Sequence, residues 1–106
     1  MADWLVTDKV AQFAERIAGR SRLATYQRVC ERLYSLEAAE ARGYVRARAA
    51  AIVIEEADKL IAQEGAVASR LRTKLISTAL DSLVTAILQQ AEQARRARPV
   101  TRRLAA

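Results

Sequence analysis

Apolar residues recur along this chain at the three- and four-residue spacing of a helix face. They begin at Val6, Val10, Phe13, Ala14 and Ile17. A second stripe of apolar or small residues runs through Cys30, Tyr34, Ala38, Ala41, Val45, Ala49, Val53, Ala57 and Leu60. Its mean step of about 3.75 lies nearer the 11-residue repeat than the heptad. A third face combines Leu71, Leu75, Ile76, Leu80, Leu83, Val84, Ile87, Leu88 and Ala91, with Lys74, Thr78, Asp81, Thr85, Gln89 and Glu92 on the polar side. A stripe this broad predicts contact with two neighbouring elements. The period is helical throughout, and the chain reads as all-α.

Three glycines and one proline supply the punctuation, at Gly19, Gly43, Gly65 and Pro99. Glycine ends helices because it takes left-handed backbone angles without steric cost, and proline because it lacks the amide donor. The first helix is expected to start at Asp3 or Thr7 and end at Gly19, with Ser21 capping the next. No Ser, Thr, Asp or Asn lies between Glu37 and Ala57 to cap a helix starting after Gly43, and the second stripe crosses that glycine in phase. A mid-helix glycine costs only about 1 kcal/mol relative to alanine, so one continuous helix from Arg22 to Glu64 is expected. A break at Gly43, giving four shorter helices in one bundle, is the competing arrangement. Gly65 ends the middle helix, and the third runs from about Val67 to Arg98, because the residue before a proline disfavours helical geometry.

At about 1.5 Å per residue the middle helix would span roughly 60 Å, the third roughly 45 Å and the first about 20 Å. A short N-terminal helix with two long antiparallel ones forms a helical hairpin whose apolar face stays partly open. A second copy would close it, completing a four-helix bundle by dimerisation. Val53, Leu60, Leu80, Leu83 and Ile87 are the expected interface anchors. Residues 1–98 form the helical domain on this reading, and 99–106 a basic flexible tail.

Composition bounds the size of the core. A chain of 106 residues folded alone buries only about 60 to 65 per cent of its unfolded surface. No stretch reaches the roughly 18 apolar residues of a membrane span, since the most apolar run, Leu75 to Leu88, contains Asp81 and four hydroxyl residues. The N-terminus has no basic region followed by an apolar one, so it does not read as a secretory signal, and a cytoplasmic protein is expected. The single cysteine, Cys30, agrees with a reducing compartment. Fifteen arginines against three lysines read as the product of a GC-rich genome, and the terminal Leu104-Ala105-Ala106 resembles the end of bacterial degradation tags.

Charge is uneven. The net charge is +6, of which residues 1–88 contribute +2 (13 basic, 11 acidic) and residues 89–106 contribute +4 (five arginines against Glu92). Basic arms bind polyanions through counterion release without needing a fold. Arg95, Arg96, Arg98, Arg102 and Arg103 are therefore candidate nucleic-acid contacts. Arg42 and Arg46, and likewise Arg28 and Arg32, recur at i+4 and form short basic ridges, interleaved with Glu31, Glu37 and Glu40. Tyr26, Tyr34 and Tyr44, set well apart along the chain, read as core or interface fillers rather than a base-stacking platform.

The inventory for chemistry is thin. With no histidine there is no imidazole acid, base or ligand, and no catalytic, metal or cofactor site is expected. Cys30 sits on the apolar stripe, and Arg28 and Arg32, two positions to either side, point elsewhere on a helix. Glu55, Glu56 and Asp58 form the densest acidic cluster. Adjacent residues diverge by about 100 degrees around a helix, so Glu55 pairs more simply with Lys59, while Glu56, nearer the apolar face, is placed to meet an arginine across an interface. The expected function is a structural or protein-interaction module, a small helical subunit or adaptor acting by helix-to-helix packing on itself or another helical protein. The alternative is a nucleic-acid-associated accessory protein using the arginine ridges and tail.

Overall fold

A computed structural model describes the backbone of residues 2–105 and the side chains of residues 6–97. Four helices follow in order: α1 (Ala2–Leu33), α2 (Ala38–Glu64), the short α3 (Ala66–Arg70) and α4 (Arg72–Ala105). The three long ones pack against one another in every pairing. Glu15 and Arg22 of α1 meet Ser82 and Gln90 of α4, so these two helices run parallel. Asp58 and Arg46 of α2 meet Arg72 and Asp81 of α4, so α2 runs against them. The result is an up-down-up three-helix bundle with extents of 59 × 26 × 23 Å.

The first helix is not short. It continues through Gly19 for 32 residues, and Gly65 is the one glycine with positive φ. The buried face of α1 runs on through Ser21, Thr25, Val29 and Leu33. Ser21, expected as a cap, instead donates its hydroxyl to the Ile17 carbonyl at 2.7 Å inside the helix. This extra length supplies the third wall of the core, and the open two-helix layer that called for a second copy does not occur in one chain.

The second correction follows from the first. The helix expected to be unbroken from Arg22 to Glu64 is interrupted at Tyr34, Ser35, Leu36 and Glu37. The α1 end is closed by Ser35, whose amide and hydroxyl both donate to the Arg32 carbonyl, and by the Leu36 amide donating to Leu33. Glu37 opens α2 in an extended conformation with no side-chain cap bond. Beyond this turn the stripe is as expected: Gly43 lies inside α2, and Ala41, Val45, Ala49, Val53, Ala57 and Leu60 are all buried. Cys30 and Tyr34 are only half-buried because they lie one position past Val29 and Leu33, the inward residues of α1, and Ala38 is exposed ahead of Ala41, the first inward residue of α2.

Gly65 ends α2 with φ 85° and ψ −150° while its amide still donates to Ile61. The single turn of α3 follows and breaks at Leu71, so α4 starts at Arg72 rather than Val67. The broad face of α4 contacts both α1 and α2, with Leu75, Ala79, Leu80, Leu83, Val84, Ile87 and Ala91 buried. Its backbone stays helical past Pro99 to Ala105, where an end at Arg98 is expected from the proline; one missing amide donor removes a single helix bond there. The tail side chains, those of the terminal Leu-Ala-Ala included, lie outside the described residues.

Two hydroxyls interrupt this apolar interior. Ser21 is satisfied within its helix, but the Thr25 hydroxyl is buried without a partner among the described residues. Leaving such a group unpaired costs about 1–3 kcal/mol. Thr25→Val keeps the shape and removes the orphan, and should raise stability by about 1 kcal/mol in urea unfolding, with the m-value unchanged.

Candidate nucleic-acid interface

The fold divides charge along its long axis. The turn at residues 34–37 gathers the last third of α1, the first half of α2 and residues 82–97 of α4 at one end. Contacts across it include Arg22 with Gln90 and the Arg95 guanidinium over the Tyr34 ring at 6.0 Å. Beneath the turn, a cavity of about 170 Å³ is lined by Leu33, Leu36 and Ala41 together with Leu88, Ala91 and Arg95. Residues 22–53 and 82–97 carry eight arginines and four glutamates, a net +4; residues 6–21 and 54–81 carry seven basic and seven acidic side chains, a net of zero.

At the neutral end three cations pair with carboxylates, across helices or along one, while Lys9, Arg20, Arg70 and Lys74 make no ion pair among the described residues. Arg16 reaches Glu64 at 2.9 Å, Arg72 binds Asp58 at 2.9 Å, and Lys59 takes both Glu55 and Glu56 at 3.6 and 3.3 Å. The i+4 pairing of Glu55 with Lys59 is as expected, whereas Glu56 meets this lysine of its own helix rather than an arginine across an interface. The Arg72 hydrogen bond holds the Asp58 carboxyl below its ordinary range, and Asp58 in turn raises Arg72. Glu56, then Glu55, raises Lys59. The Asp58 contribution is therefore present above the usual carboxylate range and lost as acid protonates it; that of Lys59 is lost only as alkali passes its raised pKa. Among the described residues no cluster of three or more cysteine, aspartate and glutamate side chains is arranged to hold a metal ion.

At the basic end Glu92 is the one glutamate with an ion pair among the described residues; Glu31, Glu37 and Glu40 are exposed beside the arginines and make none. Arg46 is bound across the division to Asp81, the last residue counted with the neutral end, and Arg95 and Arg96 share Glu92 at 3.9 and 3.5 Å. Arg28, Arg32, Arg42 and Arg48 are exposed and have no ion pair among the described residues. Arg32 from α1 and Arg48 from α2 both lie against the ring of Tyr44, at 5.7 and 5.4 Å from its centroid. The Tyr26 and Tyr34 hydroxyls meet at 3.2 Å. All three tyrosines are half-buried at this end.

Of the residues singled out from the sequence, Arg42, Arg46, Arg95 and Arg96 therefore share one end of the bundle, while the side chains of Arg98, Arg102 and Arg103 lie outside the described residues. Val53, Leu60, Leu83 and Ile87 are fully buried and Leu80 is 8% exposed, all inside the core of one chain. Arg48 and the use of Tyr44 are not singled out by the sequence. Their i+4 spacing is the available signal, but Arg32 joins them only through the turn.

No family model, curated protein or solved structure matches this chain. No helix among the described residues is long and apolar enough to cross a membrane.

Proposed function

We propose that this protein is a non-catalytic helical module that binds nucleic acid through the arginine-rich end of its bundle. The observation that carries this reading is the separation of a +4 end from a neutral one, with five exposed arginines at the former, Arg22, Arg28, Arg32, Arg42 and Arg48, lacking a carboxylate partner among the described residues. Each such guanidinium can donate two parallel hydrogen bonds to a phosphate. The tail arginines 98, 102 and 103 continue the chain from this same end and would add to the field. Helix-to-helix packing receives less support, because its expected anchors are enclosed by their own chain.

Binding to labelled nucleic acid at low and moderate salt, about 50 and 200 mM, tests the reading. Affinity should fall steeply with salt, by about tenfold or more for three or more phosphate contacts, and should weaken when residues 95–106 are removed. Absence of binding at the lower salt would overturn it. A second reading retains self-association, favoured by Leu23, which is 69% exposed beside a groove lined by Gly19, Arg22, Tyr26 and Gln90. The solution mass of the same protein decides that question independently.

A further inference from the structure

Resting on that reading, we infer that the basic end takes double-stranded nucleic acid in preference to single strands, with Arg32 and Arg48, positioned by Tyr44, as its phosphate clamp. Single-strand binders gain affinity by stacking bases on open aromatic faces, on the order of 5- to 150-fold per base. Among the described residues the three tyrosines of this surface are half-buried and two of their rings carry arginines, while Tyr26 lines the groove beside Leu23. Arg32 and Arg48 lie over the Tyr44 ring, Arg95 lies over Tyr34, and the Tyr26 and Tyr34 hydroxyls are in contact. Phe13, the other described aromatic, is buried at 7% exposure. With Tyr44 and Tyr34 engaged by arginines, backbone charge is the larger feature this surface can recognise. A duplex presents one phosphate per about 1.7 Å of axis and a single strand one per about 3.4 Å.

The clamp geometry agrees with a duplex. The two guanidinium carbons lie 5.7 and 5.4 Å from one ring centroid, so their separation cannot exceed the sum of those two distances. A minor groove is about 6 Å wide, so two arginines held this near each other can reach phosphates on both of its rims, or neighbouring phosphates on one strand. Contact with the ring limits the rotamers of both long side chains before any ligand arrives, which reduces the entropy lost on binding. Neither side chain reads a base edge in this arrangement, and the binding is sequence-independent.

The test uses the full chain with a DNA duplex of about two helical turns, an RNA duplex of the same length and one isolated DNA strand, by fluorescence anisotropy across the same salt range. We expect both duplexes to bind at least tenfold more tightly than the single strand, with the two duplex arms showing whether the DNA or the RNA backbone is preferred. A single strand that binds as tightly as the duplexes overturns this inference while leaving nucleic-acid binding intact. No binding in any arm at the lowest salt overturns both. Joint Arg32→Gln and Arg48→Gln substitution should cut duplex affinity at least tenfold and flatten the salt slope by about 2; Arg70→Gln with Lys74→Gln, at the neutral end, should leave both unchanged. Equal losses in the two variants would overturn the clamp assignment. Tyr44→Phe keeps the ring and should bind like wild type, whereas Tyr44→Leu, with its helicity verified by circular dichroism, should lose affinity. Wild-type binding by Tyr44→Leu would remove tyrosine from the clamp.

Discussion

Ile17→Ala should lower the melting temperature by roughly 10 to 25 °C, the equivalent of about 2–4 kcal/mol, while Leu23→Ala changes stability by no more than about 0.5 kcal/mol. Both residues lie on α1, and both are large and aliphatic. What separates them is enclosure: Ile17 is fully buried in the core, whereas Leu23 is 69% exposed. Glu15 reaches α4 through Ser82 and Arg16 reaches α2 through Glu64, so at this level α1 is in contact with both other long helices. Truncating Ile17 removes its transfer free energy and leaves a void that a close-packed interior fills only in part. The measurement also bears on architecture. In the helical hairpin expected from sequence, Ile17 lies near the end of a short first helix, where truncation is cheaper because water can replace the lost atoms.

The three glycines should respond to alanine with opposite signs. Gly65→Ala is expected to cost about 1–3 kcal/mol, because φ 85° with ψ −150° falls where a side chain is strained even with open space around it. Nothing lies within 4 Å of a Cβ added at any of the three positions, so at Gly65 the penalty is purely backbone. Gly19 and Gly43 lie inside α1 and α2 without positive φ. Alanine there should stabilise by about 0.5–1 kcal/mol each, mostly by restricting the unfolded chain. Chemical denaturation of the three single variants checks the signs directly. A loss at Gly19 comparable to that at Gly65 would restore a helix end there.

Gly19 reads as a terminus because of the residues just after it. The apolar stripe of the first helix stops at Ile17, and its next inward positions are Ser21 and Thr25, two hydroxyls enclosed by the core. A pattern of apolar residues cannot register a polar side chain that is buried, and the nearby glycine then offers a plausible end. The true interruption at residues 34–37 has neither glycine nor proline, and Ser35 is its only local signal. By contrast, the faces of α2 after Ala41 and of α4 after Leu75 are legible, since each places an apolar or small residue at every inward step. Gly65 is legible for the reason its alanine variant should be costly.

The basic end is only half visible in the sequence. The tail arginines and the i+4 ridges stand out by local spacing, but their meeting depends on a turn the sequence conceals. Arg32 and Tyr44 belong to different helices and meet because α1 and α2 reverse at Ser35 and Leu36. Their partner Arg48 approaches the same ring from one turn further along α2.

The parallel course of α1 and α4 has a mechanical consequence. An odd number of long helices places the start of the first and the finish of the last at opposite poles of a body 59 Å long. Tension drawn through the two chain ends therefore slides the packed faces past one another along their whole length, rather than peeling one helix away turn by turn. Such shear loads many side-chain contacts at once. Anchored at its neutral pole and holding a polyanion at the other, the bundle would transmit pull as a stiff strut.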